Sequence, residues 1–235
     1  MPPRLSPRLS PRPSPRPPLR PTPVAPASAP TKGERTRAAI LDAGFRIVSK
    51  AGLEGLTIGT LAEATGLSKS GLFAHFGSRE DLLLAVLGRG QEAFVRVVVQ
   101  PALARPRGLP RLKALFANWI DWTESADLPG GCPMIGGAAE FDDKPGPLRD
   151  ALAEGQRSWI GVLRRAAAQA VEQGQLRADA DPEQITFEMF GIALVVHHHR
   201  RLLGYDKARA RALAALDALL ARYAAGGGAA ARAPR

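Results

Sequence analysis

Residues Thr57 to Glu80 read TIGTLAEATGLSKSGLFAHFGSRE, two short helical segments hinged at one glycine. Thr57 is a capping residue type, its side-chain oxygen able to take an N–H of the first turn, and the helix it opens should reach about Thr65. Gly66 supplies the positive φ that a tight turn between helices demands. Ser68 caps a second short helix, and Ser78 caps a longer one with Glu80 and Asp81 in its first turn, where acids suit the helix dipole. Leu61, Leu67, Leu72 and Phe76 are spaced to pack the two short helices together, and Ala62 is small where they cross. The outward face left on the second helix is short and polar: Ser68, Lys69, Ser70, Gly71 and His75. That is the layout of a helix-turn-helix whose second helix lies in the DNA major groove. Small residues let the backbone approach, side chains reach base edges, and the helix N-terminus adds partial positive charge beside phosphate.

Upstream, Ile40, Leu41, Gly44, Phe45, Ile47, Val48 and Ala51 form one apolar helical face that stops at Gly52. Over Thr36 to Leu83, TRAAILDAGFRIVSKAGLEGLTIGTLAEATGLSKSGLFAHFGSREDLL, the chain resembles the DNA-binding domain of TetR-family regulators along its full length. The shared features are the Lys-Ala-Gly-Leu stop, the Thr cap, the Gly-Leu-Ser-Lys-Ser-Gly-Leu-Phe-x-His-Phe core and the Ser-Arg-Glu-Asp-Leu start of the connecting helix. The resemblance implies that Thr57 and Ser68 hold phosphate through hydroxyls or cap amides, and that Lys69, Ser70 and Gly71 face bases or the sugar edge. It also implies that His75 and Arg79 clamp the flanking backbone. Phe73 stands where the family usually has Tyr, so the hydroxyl-to-phosphate contact expected there is missing.

The 235 residues are 45% apolar, enough for a real core, and carry a formal net charge of +10 with a pI near 10.7, which favours an acidic partner. The charge is uneven: residues 1–30 hold Arg4, Arg8, Arg12, Arg16, Arg20, twelve prolines and no acid. Proline at that density forbids helix, so 1–30 is expected to be a disordered tail. The tail is inert, the product of a misassigned translation start, or an arm lying along DNA phosphates. One cysteine, Cys132, rules out an internal disulfide and a cysteine-based zinc finger. No apolar stretch follows the basic start and no run of about 18 apolar residues occurs, so neither a secretory signal nor a membrane span is expected, and the chain should be cytoplasmic.

Beyond Ser78 the texture stays helical. Pro101, Pro106 and Pro110 punctuate the end of the connecting helix, and another helix follows over roughly 111–126. Leu128 to Gly137, rich in Gly and Pro, begins as a loop, and Asp142 to Pro147 is a second break. A helix covers Leu148 to Gly174, Asp181 with Pro182 opens the next, Gly204 stops it, Asp206 starts the last, and Gly226 to Gly228 ends the fold. No useful strand alternation appears. The expected fold is all-α with about nine helices: a disordered tail at 1–30, a three-helix DNA-binding domain at 31–78, a helical ligand-binding and dimerisation bundle at 79–225, and a tail at 226–235.

Groups that suggest chemistry have plainer readings. His197, His198 and His199 point about 100° apart on a helix and cannot converge on one ion. Cys132, in Gly-Gly-Cys-Pro, reads as a small buried residue before it reads as a thiolate at a helix start. Glu140, Asp142 and Asp143 beside Lys144 read as solvated, and GGCPMIGG lacks the Lys-Ser/Thr of a phosphate loop. No nucleophile, base and orienting group assemble, so no enzyme, metal or cofactor is expected.

Phe116, Trp119, Trp122, Phe141, Trp159, Phe187 and Phe190 concentrate in the second part of the chain. They are ordinary core or the walls of a cavity between helices. The expected ligand site comprises Phe116, Trp119, Trp122, Met134, Phe141, Trp159, Met189 and His197, with Glu188 a further polar anchor, and takes an uncharged or amphipathic organic molecule. Ile185 to Val196 is apolar almost all round, and the last helix carries Leu213, Leu216, Leu220 and Tyr223 on one stripe with Ala212, Ala215 and Leu219 beside it. The resemblance implies that these two helices pair with their symmetry mates, through Val195, Val196, Leu213, Leu216 and Leu220. It also implies a homodimer on a palindromic operator, with a small-molecule effector shifting the separation of two recognition helices that must stand ~34–36 Å apart. The expected function is a repressor released by its ligand. The alternatives are an activator, a ligand-independent DNA-binding regulator, or a ligand-binding protein whose helix-turn-helix is vestigial.

Overall fold

The computed structural model describes residues 31–226, so the arginine-rich tail and the end of the chain beyond Gly226 lie outside the described residues. The described chain is all-α, as expected. The first three helices are α1 (Lys32–Ala51), α2 (Ile58–Thr65) and α3 (Lys69–Phe76). A long rod follows: α4 (Arg79–Phe94), a π-helical turn (Val95–Val99) and α5 (Gln100–Leu103). The remainder is α6 (Leu109–Thr123), α7 (Pro133–Phe141), α8 (Pro147–Glu172), α9 (Pro182–Arg201) and α10 (Ala208–Arg222). Taking the rod as one, nine helices are seen among the described residues.

The apolar face of α1 buries Ile40, Leu41, Phe45 and Val48 against α4, which answers with Leu82, Leu83, Val86 and Leu87. The crossing is close because a glycine stands on each side. A Cβ at Gly44 would lie 2.8 Å from Val86, and one at Gly90 would lie 2.1 Å from the Phe45 ring. Helix α8 runs through the middle of the remaining bundle, packed on α4, α6, α7 and α9, and α10 closes over α9. A single antiparallel bridge, Leu176 with Ala224, ties the loop after α8 to the end of α10.

One sequence expectation is corrected here, and one is extended. The stretch Leu128 to Gly137 begins as a loop and turns helical at Pro133. Pro133 sits in the first turn, where a missing N–H costs nothing, and Gly137 is kept small by Leu53, 2.7 Å from where its Cβ would be. The last helix starts at Ala208 rather than Asp206, whose carboxylate pairs instead with Arg200 at 2.7 Å. Glu124 shows non-helical geometry after α6, close to the expected end of that helix.

Candidate DNA-reading surface and ligand cavity

Three caps set the geometry of the helix-turn-helix. Thr57 Oγ1 accepts from Thr60 N at 3.0 Å while Thr60 Oγ1 accepts from Thr57 N at 3.0 Å, a reciprocal capping box. Ser68 Oγ accepts from Gly71 N at 3.1 Å, and Ser78 Oγ accepts from Asp81 N at 3.0 Å. Between α2 and α3, Gly66 adopts φ +69 and its N–H returns to Ala62 O, the left-handed closure the sequence required. Leu61, Leu72 and Phe76 are buried, but Leu67, expected to pack with them, sits on the turn and is 37% exposed. The Arg37 guanidinium lies over the Phe76 ring, 4.9 Å from its centroid. On the far side of α3, Lys69, Ser70, Gly71, Phe73 and His75 are all exposed, with Ser70 Oγ 3.2 Å from Ser68 Oγ.

Arg79 is placed differently from expectation. Its Nε donates to Leu56 O at 3.0 Å, and its Nη2 donates to Leu53 O at 3.2 Å and Glu54 O at 3.0 Å. Those donors are committed to the α1–α2 turn and are not free for a phosphate. The same turn is held from the other side by α7. Glu140 Oε2 accepts from Leu53 N at 2.9 Å and from Glu54 N at 3.2 Å, so the solvated reading of Glu140 is also corrected. Lys144 Nζ reaches Glu54 at 2.6 Å, and that hydrogen bond holds the Glu54 carboxyl below the usual range. Ser49 Oγ accepts from Gly130 N at 3.0 Å and donates to Gly131 O at 2.9 Å, tying α1 itself to the segment leading into α7.

A cavity of about 350 Å³ lies among α4 and its π turn, α6, α7, α8 and α9. Its aromatic wall is built from rings that also touch one another. Phe94 and Trp159 stand edge-to-face at 4.9 Å, Trp119 and Trp159 at 5.3 Å, and Trp119 tilts against Phe190 at 5.3 Å. Met134, Ile135, Val95, Val99 and Val162 complete the apolar lining, and Gln91, Glu154, Gln156 and Ser158 supply its polar atoms. Glu154 and Ser158 are exposed, so the charge stands where the cavity meets solvent. Cys132 is a buried wall residue whose thiol is pushed up by burial, against the opposing pull of the Ile135 and Met134 amides.

Two models of known families fit the chain. One described as bacterial regulatory proteins, tetR family, matches residues 40–86, and one described as tetracyclin repressor-like, C-terminal domain, matches residues 108–216. The chain belongs to the TetR family. It is a DNA-binding transcriptional regulator. The HTH-type transcriptional repressor ComR of Escherichia coli (strain K12) is 27% identical over 147 residues, 62% of this chain and 68% of that one. A TetR transcriptional regulator from Chloroflexus aurantiacus shares the fold with a TM-score of 0.75 at 24% identity, covering 82% of this chain and 98% of that one. AibR in complex with isovaleryl coenzyme A and operator DNA does so with a TM-score of 0.60 at 22% identity, covering 81% of this chain and 98% of that one.

Within this TetR-family fold, the expected ligand residues divide. Trp119, Met134 and Trp159 line the cavity. Phe116 is fully buried beneath Trp119, Met189 is core, and Trp122 packs between Phe45 and Phe94. Phe141 lies under Lys144, 5.0 Å from its ring centre, and Glu188 pairs with Arg222. His197 is turned toward Gly131, away from the lining. The lining residues that sequence reasoning missed include Gln91, Phe94, Val95 and Val99 of the connecting helix and its π turn, and Glu154, Gln156, Ser158 and Val162 of α8. Gln91, Phe94, Val95 and Val99 recur at the i, i+3, i+4, i+8 spacing of one helical stripe, and that spacing is the signal in the sequence that could have found them.

The expected dimer residues divide as well. Val196, Leu216 and Leu220 are buried within the protomer's own core, because they are the positions with which α9 and α10 grip each other and α6. The outward apolar residues of α9 are Phe187, Leu194 and Val195, with Phe187 75% exposed. No described helix is long and apolar enough to cross a membrane, and no group of three or more metal-binding side chains gathers among the described residues.

Proposed function

We propose that this regulator is a homodimeric repressor that binds a two-fold operator through α3 and leaves it when a small apolar molecule fills the cavity. The observation that carries this reading is the cavity's position. Its walls include α4, which continues from the DNA-reading helices, and α7, whose far end holds the α1–α2 turn through Glu140. A ligand that changes the spacing of those walls changes where α3 is held, and a difference in ligand affinity between the two arrangements shifts their populations. The AibR structure, solved with both an acyl thioester and operator DNA, supports pairing the two functions on this fold.

The lining favours a ligand that is largely apolar and partly aromatic, of the size that a few-hundred-Å³ cavity takes. The test is a thermal-shift screen of apolar metabolites, followed by DNA release with each hit. At ~100 times its dissociation constant a true ligand stabilises the fold by ~2.7 kcal/mol. Val162→Trp, which fills the cavity, should abolish that shift and the release while leaving DNA affinity intact. A hit that releases DNA equally from wild type and Val162→Trp overturns the assignment.

A further inference from the structure

The outward face of α3 carries one residue whose chemistry does not match its surroundings. Lys69 and Phe73 stand at i and i+4 and so share a side of the helix, with Ser70 beside them, while the buried Leu72 and Phe76 lie along the adjoining flank. Phe73 is 50% exposed and lies outside the hydrophobic core, so the ring contributes little to holding the domain together. It has no hydroxyl and cannot donate to a phosphate. In the wet major groove nearly every exposed atom of a base edge is a donor or an acceptor, and covering those atoms with a phenyl ring would strand them without partners. The exception is the C5 methyl of thymine, the apolar feature of that surface.

We propose that Phe73 is a specificity-determining residue that reads a thymine C5 methyl group in each half of the operator. Lys69, on the same face, supplies the polar half of the reading, since an ammonium can donate to guanine O6 and N7. The pair gives each recognition helix one contact that seeks acceptors and one that rejects them. A cytosine at the thymine position presents an amino donor and no methyl, and is refused on both counts. This rests on α3 being the DNA-reading helix, and the experiment separates the two claims.

The full chain is titrated against an operator selected from a random duplex pool, then against duplexes in which each thymine in turn is replaced by deoxyuridine. That exchange removes the methyl and leaves every hydrogen-bonding atom in place. Wild type should lose on the order of fivefold in affinity at one symmetry-related pair of positions, the worth of one buried methyl. Phe73→Ala should bind the unmodified duplex more weakly and show no further loss at that pair. Phe73→Tyr should keep the discrimination. Because Phe73 is half exposed, the alanine variant should melt as wild type does, which excludes a folding effect. Equal wild-type affinity for every deoxyuridine duplex overturns the proposal, and so does an undiminished loss in Phe73→Ala. In either case tight binding to the unmodified duplex leaves α3 as the reading helix.

Discussion

His197 carries its ring into the bundle, where Nε2 is buried without a hydrogen-bond partner against Gly131. Burial lowers its pKa below the ordinary 6.5, and the charges of Arg201 and His198 on the same helix push in the same direction. The unfolded chain therefore binds a proton at this position at a pH where the folded protein does not. Stability is fully present above the unfolded value and falls as pH drops through it toward the lower folded value. Urea unfolding at pH 7.5 and 5.5 should show a loss of stability on acidification that is smaller in His197→Gln. An identical loss in both proteins would show that the ring titrates freely in the folded state. Single positions were legible where they obeyed a local rule. Thr57, Ser68 and Ser78 cap as their residue types require, because a cap is satisfied within three residues of itself. Arg79 and Glu140 were not legible, because their partners are backbone groups 23 to 26 and 86 to 87 residues away in sequence, and nothing local marks them.

At the scale of elements, α4 carries two helix-interior glycines with opposite meanings. Gly90 admits the Phe45 ring so closely that an added Cβ would lie 2.1 Å from it, whereas nothing lies within 4 Å of a Cβ at Gly88. Gly90→Ala should cost about 1–3 kcal/mol by overpacking the α1–α4 crossing. Gly88→Ala should stabilise by about 0.5–1 kcal/mol, since it removes only the backbone freedom of glycine. Thermal melts of the two variants should move in opposite directions, and a common direction would mean that the crossing adjusts freely. The same rod shows why element boundaries outran the sequence. Pro101 was read as punctuation near its end, yet the rod passes through it to Leu103. In a regular α-helix the proline ring would press on the carbonyl of residue 97. The π turn at Val95–Val99 widens the helix just there, and Asn118 Nδ2 donates to Val98 O at 3.0 Å. That accommodation depends on α6 and leaves no trace in the rod's own residues. Gly137 in α7 shows the same dependence on a distant partner, since it answers to Leu53 across the fold rather than to a turn.

At the scale of the whole molecule, the outward side of α9 places Phe187, Leu194 and Val195 in water, beside an alanine-bearing strip of α10 that includes Ala215. Of the residues the sequence pattern proposed for pairing, Val195 lies on this outward side, whereas Val196, Leu216 and Leu220 do not. The pattern marked the longest apolar stripe of α10, which is the stripe already spent inside the protomer at Leu216 and Leu220. In the proposed dimer a second copy would cover this apolar surface, and an isologous contact would set two α3 helices about a two-fold axis. Only with that axis in place can both reach successive major grooves, ~34–36 Å apart. Phe187→Asp combined with Val195→Asp puts two like charges on each copy's face and so four across the two-fold contact, while touching no buried position of the protomer. The double variant should sediment as a monomer with wild-type helicity by circular dichroism. Its affinity for a duplex carrying both half-sites should drop by about 100-fold or more, since the second half-site is no longer an intramolecular event. Affinity for a single half-site should stay within a few-fold of that of one wild-type recognition helix. If the variant stays dimeric, the pairing face lies elsewhere; if it is monomeric yet holds the full operator as tightly as wild type, α3 reads DNA without needing a partner.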